Sequence, residues 1–186
     1  MAARHADLTH ALILTSAVEL LEMGSVTELS VRAVAKKADI SERTVFRYFA
    51  SRDELLDAVA LEISRRLDAP PNPETVEALI AYPEAMFARF EVAAALTRAA
   101  LHSELYHRIR SHDALGRGAA IRALVDRLAP HRSERERRLA TANIHYHVIA
   151  STWRYYRDYF GFSVDDTAEC ARMAIVQALK GVGIAV

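Results

Sequence analysis

Chain breakers are scarce in this sequence and unevenly placed. Its 186 residues hold six glycines and five prolines, and three of the prolines fall in the stretch Ala69-Pro70-Pro71-Asn72-Pro73. Inside a helix, glycine costs about 1 kcal/mol and proline about 3 kcal/mol relative to alanine. Long stretches free of both, rich in alanine, leucine, arginine and glutamate, therefore point to an all-α fold. The proline cluster cannot be helical throughout and is the clearest boundary, dividing the chain into residues 1–68 and 69–186. The chain is long enough to bury a core without disulfide or metal staples. Its single cysteine, Cys170, has no partner within the chain and excludes a cysteine-based zinc cluster, which fits a reducing cytoplasm. Lys+Arg and Asp+Glu are both 24, so there is no whole-chain positive field and any basic footprint is local. No apolar stretch approaches the roughly 18–20 residues of a membrane span, and the first residues lack a secretory layout.

Helix signals follow in order. Asp7 or Thr9 can cap a first helix with apolar positions Ile13, Ala17, Leu20 and Leu21, stopped by Gly24. Ser30 caps residues 31–38 and Ser41 caps residues 42–49. Ser51-Arg52-Asp53-Glu54 reads as a capping box for a helix with the stripe Leu55, Leu56, Val59, Ile63 and Leu67. Beyond the prolines, Asn72 as cap and Pro73 at the first helical position start a helix that Pro83 is expected to break or kink. Residues 111–118 read as a turn. A second capping box, Ser133 to Glu136, opens a long helix to about residue 160, ended by Gly161. Ser163 starts a last helix to about residue 180, and the tail Gly-Val-Gly-Ile-Ala-Val is expected to fray. The total is about nine helices.

Residues 29–56 are the informative stretch. Two short helices joined by the tight turn Ala38-Asp39-Ile40-Ser41, then a third helix, are the layout of a helix-turn-helix. Val34, Ala35, Ile40, Val45 and Phe49 supply its inner packing. Residues 32–52 hold six basic side chains (Arg32, Lys36, Lys37, Arg43, Arg47, Arg52) against two acidic ones (Asp39, Glu42). A concentrated basic patch on a helix pair able to enter a major groove is what DNA binding requires, whereas a basic run alone is more often a solvated face.

The order and spacing of Ile13, Ala17, Leu20, Leu21 and Gly24, followed by Thr44-Val45-Phe46-Arg47-Tyr48-Phe49-Ala50-Ser51-Arg52-Asp53-Glu54-Leu55, resemble the DNA-binding domain of TetR-family transcriptional regulators over residues 8–60. The rest of the chain resembles that family in length and helicity alone. The resemblance implies an N-terminal three-helix DNA-binding domain with a linking fourth helix, followed by a helical ligand-binding and dimerisation domain. It implies roles for ten residues. Ser30 caps the first helix of the motif near a phosphate. Arg32 reaches backbone or a base edge, and Lys36 adds to the basic patch. Ser41, Arg43, Thr44, Phe46, Arg47 and Tyr48 belong to the recognition helix and its cap. Arg43 is the candidate for bidentate contact with guanine O6 and N7, and the Thr44 and Tyr48 hydroxyls suit phosphate oxygens. Phe46 stands where many members have tyrosine, which loses a hydroxyl and offers apolar contact to a thymine methyl. Arg52 matches a phosphate-gripping lysine at a helix N-terminus. Asp39 replaces the glycine usual in the turn.

Further along, Ile144, Val148, Ser151, Thr152 and Tyr155, with Ala171, Ala174, Ile175 and Ala178, form stripes that would join two copies as a four-helix bundle; the other reading is that they close a monomeric core. Met86, Phe87, Phe90, His102, Tyr106, His145, Ile149, Trp153 and Tyr156 are the candidates for lining a ligand pocket, against the alternative of ordinary core. His145 and His147 are two residues apart, on different faces of a helix, so no metal is expected. Neither a catalytic constellation nor a cofactor motif is legible. The expected function is a cytoplasmic, homodimeric DNA-binding regulator, a repressor released from a palindromic double-stranded operator by a small-molecule effector, with no membrane partner. A helical small-molecule-binding protein, or an activator with the same fold, stays open as the alternative.

Overall fold

The computed structural model describes residues 2–24 and 29–186, and the side chains at 2–5 and 112–115 lie outside the description. Ten α-helices and no strand occur among the described residues, which confirms the all-α class with one helix more than the sequence signals suggest. In order they are α1 (Ala2–Glu22), α2 (Val31–Lys37), α3 (Glu42–Tyr48), α4 (Arg52–Leu67), α5 (Val76–Val92), α6 (Ala94–His102), α7 (Leu105–Leu128), α8 (Glu134–Tyr146), α9 (Ala150–Tyr159) and α10 (Val164–Gly181).

The chain forms two compact units. The first comprises residues 1–67 together with residues 94–112; the second comprises residues 68–93 and 113–186. The break at Leu67/Asp68 falls beside the boundary expected from the prolines, but residues 94–112 group with the first unit. Contacts between residues distant in sequence, to which local composition is blind, decide that grouping.

In the first unit α1 packs against α2, α4 and α6, and α2 against α3. Its core is Ile13, Ala17, Val18 and Leu21 from α1, Val34 and Ala35 from α2, Val45 from α3, and Leu55, Leu56, Val59 and Ile63 from α4, all buried. Gly24 adopts a left-handed φ of 65°, and its N–H donates to the Leu21 carbonyl, so it stops α1 as glycine at that position should. The start of α1 lies earlier than a cap at Asp7 or Thr9 would set it.

In the second unit α10 lies against α5, α8 and α9, and α5 against α9. Its buried core includes Leu79, Phe87, Ile121, Val125, Trp153, Ile175 and Leu179. A chain of contacts holds the proline segment here: the Arg117 Nε donates to the Tyr82 hydroxyl at 3.1 Å, and that hydroxyl donates to the Pro70 carbonyl at 3.2 Å.

Five local expectations are corrected. The cap of α5 is Thr75, whose hydroxyl accepts from the Ala78 N–H, in place of Asn72 with Pro73. Helix α5 runs through Pro83 without the break, one of the two outcomes expected there, because Tyr82, Pro83, Met86 and Phe87 are buried together and that burial offsets the lost backbone bond. Residues 111–118 are helical within α7; Gly116 and Gly118 lower helix propensity by about 1 kcal/mol each, which the burial of Ile121, Leu124 and Val125 overrides. The long helix expected from Ser133 is two helices. Its capping box forms as read, but Ile149 is extended (φ −106°, ψ 159°), and the Thr152 hydroxyl donates to the Tyr146 carbonyl that the break leaves free. Finally, the tail does not fray. Gly183 at φ 78° allows its N–H and that of Ile184 to reach the Lys180 and Leu179 carbonyls, burying Val182 and Ile184.

Candidate nucleic-acid interface

Helices α2 and α3 owe their starts to serines and their angle to an aspartate. The Ser30 hydroxyl accepts from the Ala33 N–H and the Ser41 hydroxyl from the Thr44 N–H, each at 3.1 Å, satisfying donors the short helices cannot satisfy internally. Between them Asp39 sits in the left-handed region at φ 54°. With Asp39 there, its own N–H reaches the Lys36 carbonyl at 3.3 Å and the Ile40 N–H reaches the Ala35 carbonyl at 3.0 Å. These are the two bonds of a Schellman turn. The geometry that glycine would give without strain is thus kept by aspartate.

The turn leaves Val45 and Phe49 buried and turns Glu42, Arg43, Phe46 and Arg47 to solvent. Ser41, Arg43, Thr44, Phe46 and Arg47 line one open hollow on the surface of α3. The structure therefore brings together five of the ten residues assigned to DNA. Phe46 is 48% exposed, while Val31, Val34, Ala35 and Val45 of α2 and α3 are buried. Thr44 is half-buried, with its hydroxyl bonded to that of Ser41 at 2.9 Å. The Arg47 guanidinium lies 5.3 Å from the Tyr48 ring centre. Ser30, Arg32 and Lys36 are exposed on or beside α2.

Arg52 has contacts of its own within the chain. Its Nε donates to the Leu29 carbonyl at 3.0 Å and its Nη2 pairs with the Glu104 carboxylate, so the guanidinium assigned to a phosphate is engaged within the first unit. It ties the start of α4 to the residue preceding the α2 cap. Lys37 likewise spends its charge on Glu19 at 3.1 Å. Sequence reasoning missed two supports. His10 of α1 meets the Phe49 ring at 5.0 Å and the Tyr48 ring at 6.4 Å, bracing the end of α3. Arg108 holds Asp53 at 2.6 Å and also pairs with Asp57, fixing the first turns of α4. Neither leaves a local signal, because each joins residues tens of positions apart.

The stripes assigned to a second copy fare differently. Ile144, Val148, Thr152, Ala171 and Ile175 are buried inside the single chain. These five close its own core, as the other reading had it, and a partner cannot cover what is already covered. Ser151, Ala174 and Ala178 are half-buried and Tyr155 is exposed.

Among the pocket candidates, Met86, Phe87, Phe90 and Trp153 are buried, with Phe90 5.9 Å from the Trp153 ring and 6.1 Å from Phe87. The buried indole has its partner in Glu91, to which Nε1 donates at 3.1 Å, and the other Glu91 oxygen accepts from Arg157 at 2.8 Å. Tyr156, His145 and Ile149 are half-buried in the same unit, and burial together with Cys170 pushes the Tyr156 phenol up to about 12. His102, exposed, and Tyr106, half-buried, belong to the other unit.

Two serine-capped helices at a fixed turn, the second presenting arginines and one half-exposed aromatic ring, form a helix-turn-helix, the motif whose second helix reads DNA in the proteins that use it. Residues 13–59 match the profile of the bacterial regulatory proteins of the tetR family. The whole fold is similar to that of a TetR-like transcriptional regulator from Rhodococcus sp. RHA1, with a TM-score of 0.65, 18% identity, and coverage of 93% of this chain and 96% of that one. It is also similar to a TetR variant from Acinetobacter baumannii AYE in complex with minocycline, with a TM-score of 0.51, 15% identity, and coverage of 91% and 93%. No curated protein matches the sequence. The match of residues 13–59 to that profile supports DNA-binding transcriptional regulation. No described helix is long and apolar enough to cross a membrane.

Proposed function

We propose that this protein is a homodimeric, cytoplasmic repressor that binds a palindromic operator through α3 and is released by a small, mainly apolar molecule. The observation that carries the reading is the α3 surface, where Arg43, Phe46 and Arg47 line one hollow and stand exposed on a buried scaffold. Arg43 is the base reader, Arg32, Lys36, Ser41 and Tyr48 position the backbone, and Ser30 holds the start of α2. One such head reads a few base pairs. Two heads about 34 Å apart, one turn of duplex, read both halves of a palindrome. Residues 69–186 carry dimerisation and ligand binding, with the positions left partly open on α9 and α10 (Ser151, Tyr155, Ala174, Ala178) meeting the second copy. Effector binding within the second unit is supported by the likeness to a fold that holds minocycline. Release requires that the effector bind the non-operator arrangement more tightly, since equal affinity for both shifts nothing.

The test is a gel-shift titration against the duplex flanking the protein's own gene, repeated at rising salt. Sequence-specific retention that falls steeply with salt supports the reading. A chain that stays monomeric and leaves every duplex unshifted in dilute buffer overturns it.

A further inference from the structure

Phe46 is a feature of the α3 surface that the basic patch does not explain. It is the one exposed aromatic ring on α2 or α3, with 48% of its surface open to solvent. An exposed phenyl group gains nothing from water, and its neighbours in the hollow are the polar or cationic Ser41, Arg43, Thr44 and Arg47. Arg43 and Phe46 are three residues apart on one helix, so their Cβ atoms lie about 5–6 Å apart. That distance spans between one and two base steps of about 3.4 Å. In the major groove the apolar feature of a base edge is the methyl group at C5 of thymine; cytosine presents only an amino donor there.

We propose that Phe46 makes the protein a reader of the pyrimidine C5-methyl group, within two base pairs of the guanine read by Arg43. The inference rests on the DNA-binding reading above and deepens it: each half-site must hold a 5-methylpyrimidine at that place. 5-Methylcytosine satisfies the same contact, so cytosine methylation at that position strengthens binding.

The experiment begins with selection of duplexes from a randomised pool by the full-length protein. The guanine is located as the position where Arg43→Ala loses its preference. Each thymine of the selected half-site is then replaced by deoxyuridine, which removes the methyl group and nothing else. One thymine within two base pairs of the guanine is expected to lose about fourfold in affinity per half-site, the weight of one buried methyl group. At that position 5-methylcytosine is expected to bind tighter than cytosine by a similar factor. Phe46→Ala abolishes both differences, Phe46→Leu retains part of them, and circular dichroism confirms that both variants fold. Enriched sequences without any methyl effect near the guanine, or an effect that survives in Phe46→Ala, overturn the role of Phe46 alone. A pool with no enriched sequence overturns the DNA-binding reading itself.

Discussion

Arg43 and Arg52 carry the same charge and sit nine positions apart, yet the structure gives them different surroundings. Arg43 is exposed in the hollow on α3, whereas two nitrogens of Arg52 are spent on the Leu29 carbonyl and on Glu104. Salt dependence separates the two. Arg43→Ala should cost about 1–3 kcal/mol against the preferred base and flatten discrimination at that position, measured by competition among duplexes. Arg52→Ala should lower stability by about 1 kcal/mol in urea titration, by losing the Leu29 bond. Its plot of log affinity against log salt should keep the wild-type slope; a lost phosphate contact would lower that slope by about 0.9 per protomer. Trp153 is the corresponding case in the second unit. Trp153→Phe keeps an aromatic ring but removes the indole N–H and part of the buried volume, leaves a Glu91 oxygen without its donor, and should destabilise by about 1–3 kcal/mol in the same assay.

Among the elements, caps and ion pairs decide where helices begin and how they respond to acid. The Ser133 hydroxyl accepts from the Glu136 N–H, and Glu136 accepts from the Ser133 N–H at 2.9 Å, a complete capping box. Ser133→Ala should therefore cost about 1 kcal/mol, seen as a lower Tm. On α4, the hydrogen bond from Arg65, helped by Arg66, holds the Glu62 carboxyl down at about 2 despite its burial. A carboxyl depressed in the folded state stabilises above its unfolded pKa, and that contribution disappears as pH falls through the folded value. Stability should thus decline between about pH 4.5 and pH 2, by on the order of 1 kcal/mol once solvent around the exposed Arg65 is allowed for. Glu62→Gln should remove that part of the acid sensitivity in unfolding experiments at graded pH.

For the whole molecule, the two units use their apolar surface to different ends. Almost all apolar side chains of α2 and α3 go to the core, which leaves a charged reading surface on a rigid base. In the second unit the core absorbs most of the stripe first assigned to a partner, and the exposed apolar groups on α9 and α10 are Tyr155, Tyr159 and Met173. If those positions join two copies, Tyr155→Glu should shift the protein towards monomer in sedimentation. Operator affinity should fall with it, because two tethered heads bind far more tightly than one.

The all-helical class, the helix-turn-helix, four of the five serine caps (Ser30, Ser41, Ser133 and Ser163) and the exposed α3 face were legible because each is written within a few residues: a hydroxyl followed by free N–H groups, a period of 3.6, a run of like charge. Ser51 is the partial case, since Glu54 accepts from the Ala50 N–H rather than from its own cap. What the sequence alone left undecided lies in long-range contacts. Helix α5 passes its proline, α7 passes its glycines, and α8 parts from α9, because burial worth several kcal/mol outweighs local preferences of about 1 kcal/mol per residue. The same holds for charge. A sequence shows that an arginine is present, but whether it meets a phosphate or a glutamate fifty residues away depends on where the fold places that glutamate.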